Sequence, residues 1–250
     1  MTDSVAGIVL AAGAGTRLFP LTRHRPKALC PVAGVPLVDI AVDRLRSLSG
    51  AVAVNVHHGR AALEAHLATR GGLHLSIEED EALGTAGALG QLRPWIDGRP
   101  VVVVNADGWT PAGAGALLEG WDGETVRVLI VGGGPLGPRS LVAGSLVPWS
   151  WARDLPAIPT GLYERVWRPA AAEGRLETVA FDAPFVDCGT PASYLAANLI
   201  ASGGASVIDP TARVEGRVVR SVVWDGAAVA PGEVLVDAIR FSPRGTVLVR

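Results

Sequence analysis

A short stretch near the N-terminus combines glycines with two cations, a pairing suited to binding phosphate. Gly13 and Gly15 follow an apolar run, and Arg17 and Lys27 come after them. Glycines let backbone N–H groups turn inward around an anion, while arginine offers a planar fork of donors and lysine a compact point charge. The stretch therefore predicts a phosphate cradle, with a fork and a point charge beside a bound triphosphate.

Two common nucleotide-binding motifs do not fit this stretch. The third glycine of the dinucleotide fingerprint would fall at Leu18, and no Gly-Lys-Ser/Thr follows as in a Walker A loop. Lys27 is also the only lysine among 22 basic residues, the others being arginine. A position that keeps lysine in such a chain is expected to need a compact cation, although a single lysine could also fall there by chance.

Two aspartates are further candidates for chemistry. Asp107 comes two residues after Asn105, the end of an apolar strand, which predicts a position at the carboxyl edge of a sheet, where ligands of open α/β sheets bind. Asp187 precedes Cys188-Gly189-Thr190-Pro191 and a helix. The plainer interpretations are an Asp-Gly turn at Asp107 and an N-cap at Thr190.

The elements that must position these residues alternate between short strands and helices. Continuous apolar strands separated by helices predict an α/β fold with an open, largely parallel sheet covered on both faces. We predict strands at residues 6–10, 51–56, 73–77, 100–105, 126–131 and 141–147, and helices opening at Pro36 and covering 61–67, 86–92, 162–172 and 191–200, with the segment 176–181 between the last two helices.

The pattern changes after residue 203, where we place a boundary between a catalytic domain, 1–203, and a C-terminal segment, 204–250. Valines recur there every four to seven residues among Gly, Pro and Asp, as in a short coil of parallel β-helix or a β-hairpin arm. Such a segment cannot bury its apolar face alone. It is expected to pack on the catalytic body or on a second subunit, giving a homo-oligomer.

Composition excludes several partners. The 22 basic and 24 acidic residues give a net charge of −2 with no basic run, so neither nucleic acid nor an anionic membrane surface is an expected partner. No apolar stretch approaches the roughly 18 residues of a spanning helix. The start Met1–Ser4 is acidic and lacks the positive charge of a signal peptide, which predicts a cytoplasmic protein.

Cysteines and histidines have plain interpretations. Cys30 and Cys188 cannot form a disulfide framework and are expected to be small buried hydrophobes. His57-His58 follow a strand with no carboxylate or cysteine at metal-ligand spacing, so we interpret them as a loop pair rather than a zinc site.

The longest motif extends from Leu10 to Leu37. It reads Leu-Ala-Ala-Gly-Ala-Gly-Thr-Arg-Leu from Leu10 to Leu18, then Pro26-Lys27, then Pro-Val-Ala-Gly-Val-Pro-Leu. The stretch resembles the sugar-1-phosphate nucleotidylyltransferases, whose signature is a Gly-x-Gly-Thr-Arg-Leu loop followed by Pro-Lys. The resemblance implies a Rossmann-like fold of the nucleotide-diphospho-sugar transferase type. It also implies an enzyme that transfers a nucleotidyl group from an NTP to a sugar 1-phosphate and releases pyrophosphate.

The resemblance assigns roles to particular residues. Lys27 and Arg17 become the catalytic cations, Lys27 at the α-phosphate and Arg17 with the loop amides at the β- and γ-phosphates. The segment 83–89 is similar to the family segment that closes over the base and ribose, although Thr85 could simply cap a helix. The implied nucleotide-binding residues are Leu10, Ala11, Ala12, Gly13, Gly15, Thr16, Arg17, Gly84, Thr85 and Gly87.

The metal and the acceptor sugar are assigned in the same way. The family aspartates matching Asp107 and Asp187 bind Mg²⁺, and the implied substrate-binding residues are Asp107, Trp109 and Gly144. Many family members also carry a Glu-Lys-Pro segment whose lysine meets the sugar phosphate. This chain has no second lysine, and Arg139 is the nearest candidate to replace it.

The substrates are ranked from the resemblance. GTP with mannose 1-phosphate comes first. The alternatives are uridylyl or thymidylyl transfer to N-acetylmuramate or glucose 1-phosphate, a phosphocholine-type cytidylyltransferase, and, in another class, a catalytically silent regulatory subunit that binds an NDP-sugar.

Overall fold

The computed structural model describes residues 5–249, whose contacts group them into two units. The first unit comprises residues 5–13 and 38–185, and the second comprises residues 14–37 and 186–249. The strands in chain order are β1 Ala6–Leu10, β2 Pro31–Val32, β3 Val35–Pro36, β4 Ala51–Val56, β5 Leu73–Ile77, β6 Val101–Asn105, β7 Gly108–Trp109, β8 Val126–Val131, β9 Val142–Val147, β10 Leu176–Phe181, β11 Val186–Asp187, β12 Val207–Ile208, β13 Arg213–Val214, β14 Arg217–Val219, β15 Val222–Val223, β16 Ala228–Val229, β17 Val234–Val236, β18 Ala238–Arg240 and β19 Thr246–Leu248. The α-helices are α1 Leu37–Arg46, α2 Arg60–Ala68, α3 Gly84–Ile96, α4 Trp149–Ala152, α5 Arg168–Ala172 and α6 Pro191–Ala201, and a π-helical turn, Tyr163–Trp167, precedes α5.

The first unit is built on a seven-stranded sheet in the order β10-β8-β9-β6-β1-β4-β5. Its strand pairs are parallel, except that β9 is antiparallel to both β6 and β8. The largely parallel α/β sheet predicted from the alternating elements is confirmed. The four valines of β6 are each at most 3% exposed, because a central strand of such a sheet is covered on both faces.

Most predicted boundaries lie within two residues of the observed ones. Strands β1, β4, β5 and β8 have the predicted limits. The prediction that Pro36 opens the first helix is wrong by one residue. Pro36 pairs with Pro31 in the β2–β3 hairpin, and α1 begins at Leu37.

Helix α3 extends beyond the predicted 86–92, by two residues at its start and four at its end. The missed residues include Gly84 at the start and Pro94 near the end, and both residue types lower helix propensity, so the sequence pattern underestimates this helix. Two glycines inside the helix are needed for packing: a Cβ at Gly87 would lie 2.2 Å from the Ile158 carbonyl oxygen, and one at Gly90 would lie 2.5 Å from that of Pro156. The backbone near residues 156–158 therefore packs directly on the helix, and tertiary contact outweighs propensity.

In the second unit, the segment after α6 forms coils of parallel β-helix rather than a hairpin arm. Strand β15 pairs in parallel with β12 and β18, β13 pairs with β16, and β14 with β17. Strand β19 then returns antiparallel to β18. The interior of the coil is filled by small apolar side chains: Val223, Ala227, Val229, Leu235 and Ala238. A separate domain beginning at residue 204 stays a prediction.

The coil packs on α6 and on the loop before β2, as expected for a face that cannot be buried alone. The Trp224 indole, 2% exposed, donates from Nε1 to the Tyr194 hydroxyl at 3.0 Å, and that hydroxyl donates to the Pro31 carbonyl. The Arg25 guanidinium lies 4.7 Å from the centre of the Trp224 ring and pairs with Asp225 at 2.5 Å. Burial raises the pKa of the Tyr194 phenol, which keeps it a neutral donor.

None of the helices within residues 5–249 is both long and apolar enough to span a membrane.

The two cysteines are buried, as predicted. Cys30 and Cys188 are each 0% exposed, and burial raises the pKa of the Cys30 thiol to about 12 despite the nearby cations Arg25 and Lys27. Because the thiolate is the reactive form, neither cysteine should react with a chromogenic disulfide reagent in the folded protein. Both should react after denaturation in guanidinium. Rapid labelling of Cys30 in the folded protein would contradict this expectation.

Candidate active site

The carboxyl ends of β1, β4 and β6 lie side by side in the first unit. Leu10 is in register with Asn55 and with Asn105, and the Ala106 N–H donates to the Leu10 carbonyl at 2.9 Å. Asp107 follows in the turn before β7 and is partly exposed. The predicted position of Asp107 at the carboxyl edge of the sheet is confirmed, and the turn there is formed by Ala106 and Asp107, with Gly108 already in β7.

The first half of the glycine loop leaves β1 at this edge. Ala11 and Ala12 are each 6% exposed, and the Ala11 N–H donates to Asn55 Oδ1 at 2.7 Å. A Cβ added at Gly13 would have none of the described residues within 4 Å, and the backbone there is not left-handed. Neither packing nor conformation therefore requires glycine at residue 13. The open space beside it fits the predicted phosphate cradle.

In the second unit, Arg17, Lys27 and Asp187 form a charged cluster. Lys27 Nζ lies 3.7 Å from Asp187 Oδ1, and Arg17 Nη2 lies 3.6 Å from Asp187 Oδ2. The Lys27 side chain is 10% exposed, whereas that of Arg17 is 68% exposed. The structure thus brings together both predicted catalytic cations and one predicted metal ligand.

Gly15 shapes the turn that leads to Arg17. It has a left-handed backbone, with φ of 63°, and precedes the 3₁₀ turn Thr16–Leu18. A Cβ at Gly15 would lie 2.8 Å from Lys27 Cβ and 3.0 Å from Thr22 Cγ2. Glycine is therefore required both by the backbone conformation and by the close approach of Lys27.

Replacing Gly15 by alanine should displace Lys27 and lower turnover by about a hundredfold, because small misplacements of a catalytic group cost that much. Gly34→Ala is a matched control. Gly34 also has a positive φ, 82°, but a Cβ there would have none of the described residues within 4 Å. Steady-state turnover and thermal unfolding should be measured for both variants. Equal losses of turnover would assign the effect to backbone strain alone.

Gly189 also leaves room for the cluster. A Cβ there would lie 2.9 Å from Arg17 Nη2 and 2.9 Å from Asp187 Oδ1. The next residue, Thr190, caps α6 in a capping box: its Oγ1 accepts from the Ser193 N–H, and Ser193 Oγ accepts from the Thr190 N–H. The N-cap interpretation is confirmed. The role of Gly189 was not predicted. A glycine between a candidate metal ligand, Asp187, and an N-cap residue, Thr190, is the sequence feature that could have indicated it.

The Asp187 carboxylate has the character of a ligand for a hard cation. Its Oδ1 is buried and makes no hydrogen bond within the described part of the chain, and carboxylate oxygen is what Mg²⁺ prefers. Residues 5–249 contain no group of three or more His, Cys, Asp or Glu side chains that could hold a metal. A magnesium ion here would thus take few protein ligands, which is usual where substrate phosphates supply the others.

The segment predicted to close over the base forms the start of α3. The Ala86 and Gly87 N–H groups donate to the Thr160 carbonyl at 3.0 and 3.4 Å. Thr85 Oγ1 accepts from the Leu162 N–H at 2.7 Å and does not cap the helix. The capping interpretation of Thr85 is therefore wrong, because its hydroxyl is used to hold a neighbouring loop. Nucleotide contacts of Gly84, Thr85 and Gly87 stay predictions.

A cavity of about 40 Å³ brings several predicted residues of the first unit together. Leu10, Thr85 and Gly144 line it with Asn105 and Trp167. Trp167 Nε1 is buried and makes no hydrogen bond within residues 5–249. Sequence reasoning missed Trp167, since one aromatic residue in a helical pattern is not distinctive.

Two other predicted residues, Trp109 and Arg139, are not among the residues that line this cavity. Trp109 is only 7% exposed, and Arg139 is exposed in the loop before β9. Their contacts with substrate, like the replacement of the second lysine by Arg139, stay predictions.

The first strand of the largely parallel sheet leads into a glycine loop, and cations follow in the chain. This arrangement is typical of α/β proteins that bind nucleotide phosphates. The nucleotidyl transferase family model matches residues 6–130, half of the chain. The chain belongs to this family of nucleotide-transferring enzymes, and the predicted family and fold are confirmed.

Three relatives illustrate the range of similarity. The chain is 33% identical over 227 residues to an N-acetylmuramate alpha-1-phosphate uridylyltransferase of Caulobacter vibrioides, covering 76% of this chain and 94% of that one. It is 26% identical over 269 residues to a mannose-1-phosphate guanylyltransferase of Mycobacterium tuberculosis, covering 94% of this chain and 74% of that one. In fold it resembles a Thermus thermophilus protein named mannose-1-phosphate geranyltransferase, with a TM-score of 0.73, 18% identity and coverage of 98% and 95%.

Proposed function

We propose that the protein transfers a nucleotidyl group from an NTP to a sugar 1-phosphate, with GTP and mannose 1-phosphate as its substrates. The observation that carries the reaction class is the cluster of Arg17, Lys27 and Asp187. The substrate pair is supported by the similarity to the Mycobacterium tuberculosis guanylyltransferase, which covers 94% of this chain and so includes part of the C-terminal coil.

UTP with N-acetylmuramate 1-phosphate is the second candidate pair. It is supported by the higher identity, 33%, to the Caulobacter vibrioides uridylyltransferase. That similarity covers a smaller share of this chain, 76%.

The reaction is an in-line displacement at the α-phosphorus of the NTP. An oxygen of the sugar phosphate forms a new P–O bond as the bond to the β-phosphate oxygen breaks, and pyrophosphate leaves with the electron pair. The protein must align two anions that repel each other and stabilise the charge on the transferred group. Lys27 would contact the α-phosphate, while Arg17 and the glycine-loop amides would hold the β- and γ-phosphates.

Asp187 and Asp107 are the proposed ligands of Mg²⁺. Asp187 is supported by its buried oxygen without a hydrogen bond, and Asp107 by the family resemblance and its position at the carboxyl edge of the sheet. When bound, the cation would neutralise phosphate charge that side chains alone leave unbalanced. Lys27 and Arg17 each lie beside an Asp187 oxygen, so the carboxylate and the two cations form one cluster facing the proposed ion.

Pyrophosphate release with Mg²⁺ tests the proposal over a grid of substrates. GTP, UTP, dTTP and CTP would be combined with mannose, glucose and N-acetylmuramate 1-phosphates and with phosphocholine. The highest kcat/KM is expected for GTP with mannose 1-phosphate. A higher value for UTP with N-acetylmuramate 1-phosphate would favour the second pair. No release in any combination, together with measurable NDP-sugar binding, would favour a regulatory subunit.

A further inference from the structure

A chain of hydrogen bonds joins the two loops of the first unit that are proposed to hold the nucleotide. Ala11 N–H donates to Asn55 Oδ1 at 2.7 Å, Asn55 Nδ2 donates to Glu78 Oε1 at 2.7 Å, and Leu83 N–H donates to Glu78 Oε2 at 2.8 Å. Asn55 and Glu78 are each 2% exposed. Ala11 belongs to the glycine loop, and Leu83 begins the segment proposed to meet the base.

The chemistry of this chain of bonds requires a carboxylate at residue 78. The Asn55 amide has a fixed orientation, because its oxygen accepts from Ala11 and its nitrogen must therefore donate. Glu78 then faces two N–H donors, one at each oxygen, and only a carboxylate accepts at both. Burying a carboxylate is costly unless its oxygens are hydrogen bonded. Glu78 is thus matched to linking these two loops.

His57 and His58 add two further links between the same loops. His57 Nδ1 lies 2.7 Å from the Glu78 carbonyl oxygen, and His58 Nδ1 lies 2.9 Å from the Ala12 carbonyl oxygen. A carbonyl oxygen can only accept, so Nδ1 carries the proton in both rings. The two rings contact each other edge to face at 4.6 Å. His57 and His58, which the sequence analysis interprets as a loop pair, therefore help to join the two loops.

We propose that Asn55, His57, His58 and Glu78, here named the β4 bridge, form a positioning device for the nucleotide. The bridge fixes the distance between the loop that holds the phosphates and the loop that holds the base, so that one NTP fits both. This inference rests on the proposed function. It predicts that damage to the bridge weakens NTP binding while the KM for the sugar 1-phosphate changes little.

An exchange of donor and acceptor within the bridge tests the inference. Glu78→Gln leaves one acceptor for two donors, and Asn55→Asp sets two carboxylates against each other. Each single variant should weaken the NTP Kd by at least about tenfold, because relieving the unsatisfied buried group moves the two loops away from the spacing that one NTP needs. In the double variant, which combines Asn55→Asp with Glu78→Gln, the new carboxylate accepts from the Ala11 N–H and from the new amide nitrogen, and the new amide oxygen accepts from the Leu83 N–H. All three bonds and the net charge are restored, so the Kd should return to within about threefold of wild type.

The measurements are the NTP Kd by calorimetry without acceptor, the KM for the sugar 1-phosphate and the thermal unfolding midpoint. Glu79→Gln is the matched control, because Glu79 is exposed and forms an ion pair with Arg60 at the surface. If Glu78→Gln does not fold, His58→Ala at an exposed position should still weaken the Kd by about threefold.

An unchanged NTP Kd in both single variants would overturn the proposal, and so would a double variant that binds no better than the weaker single one. A wild-type protein that binds NTP without turnover would overturn the proposed function alone, and the Kd series would still decide the role of the bridge. No NTP binding by the wild type would overturn both.

Discussion

Replacing Lys27 by alanine is expected to lower kcat by about a thousandfold and to leave the fold intact, since removing one charge-stabilising donor from an active site costs that much. Lys27 is the only lysine of the chain, its side chain is 10% exposed, and it lies beside Asp187. Its proposed contact is the α-phosphate, where charge develops during transfer. The measurement is single-turnover pyrophosphate release, with circular dichroism as the check on folding.

Two further variants sharpen this experiment. Lys27→Arg keeps the charge but replaces a compact ammonium by a planar fork beside Gly15, so it should recover only a small part of the activity. Arg23→Ala removes a cation from the same loop at an exposed position, where Arg23 stacks on Phe19, and should leave turnover near wild type. Near-normal turnover in Lys27→Ala would falsify the assignment of Lys27 to the reaction centre.

Asp187→Asn is expected to lower turnover by about a hundredfold to a thousandfold and to raise the Mg²⁺ concentration needed for half-maximal activity. Asparagine has the same shape but no charge, so it weakens a hard-cation ligand and leaves Arg17 and Lys27 without their shared carboxylate. The measurement is initial rate against Mg²⁺ concentration at saturating substrates.

Asp182→Asn is the matched control for this substitution. Asp182 is exposed a few residues earlier in the chain and should tolerate the change. If Asp187→Asn kept both the wild-type rate and the wild-type Mg²⁺ dependence, Asp187 would have no part in metal binding.

The sequence predicted the sheet well because most of its strands are apolar runs. Strands β1, β4 and β8 have the predicted limits, since burial on both faces leaves little room for polar residues. The edge strand β5 also has the predicted limits, and its apolar residues alternate with polar ones. Helix α3 was predicted too short at both ends, because Gly84 and Pro94 look like helix breakers. The coil could not be told from a hairpin arm, since adjacent strands recur at unequal spacings, as from Val207 to Val222 and then to Ile239.

The candidate site was predictable only where a motif is contiguous. Gly15, Arg17 and Lys27 belong to one recognisable stretch, and the structure places the two cations together. Asn55 and Glu78 could not be paired from sequence, because their contact depends on the register of neighbouring strands. A buried polar residue at the end of an apolar strand is the one signal that points to such a pair.

The contacts of Trp224 and Asp225 with Arg25 bear on how the coil could be inherited. Arg25 lies two residues before Lys27, and its guanidinium is held by an aromatic ring and a carboxylate that both belong to the coil. In this chain the coil is therefore not a self-contained module, because it shares these contacts with the loop that carries the lysine. Any replacement would have to supply an equivalent ring and carboxylate, or the loop that carries the lysine would have to change with it.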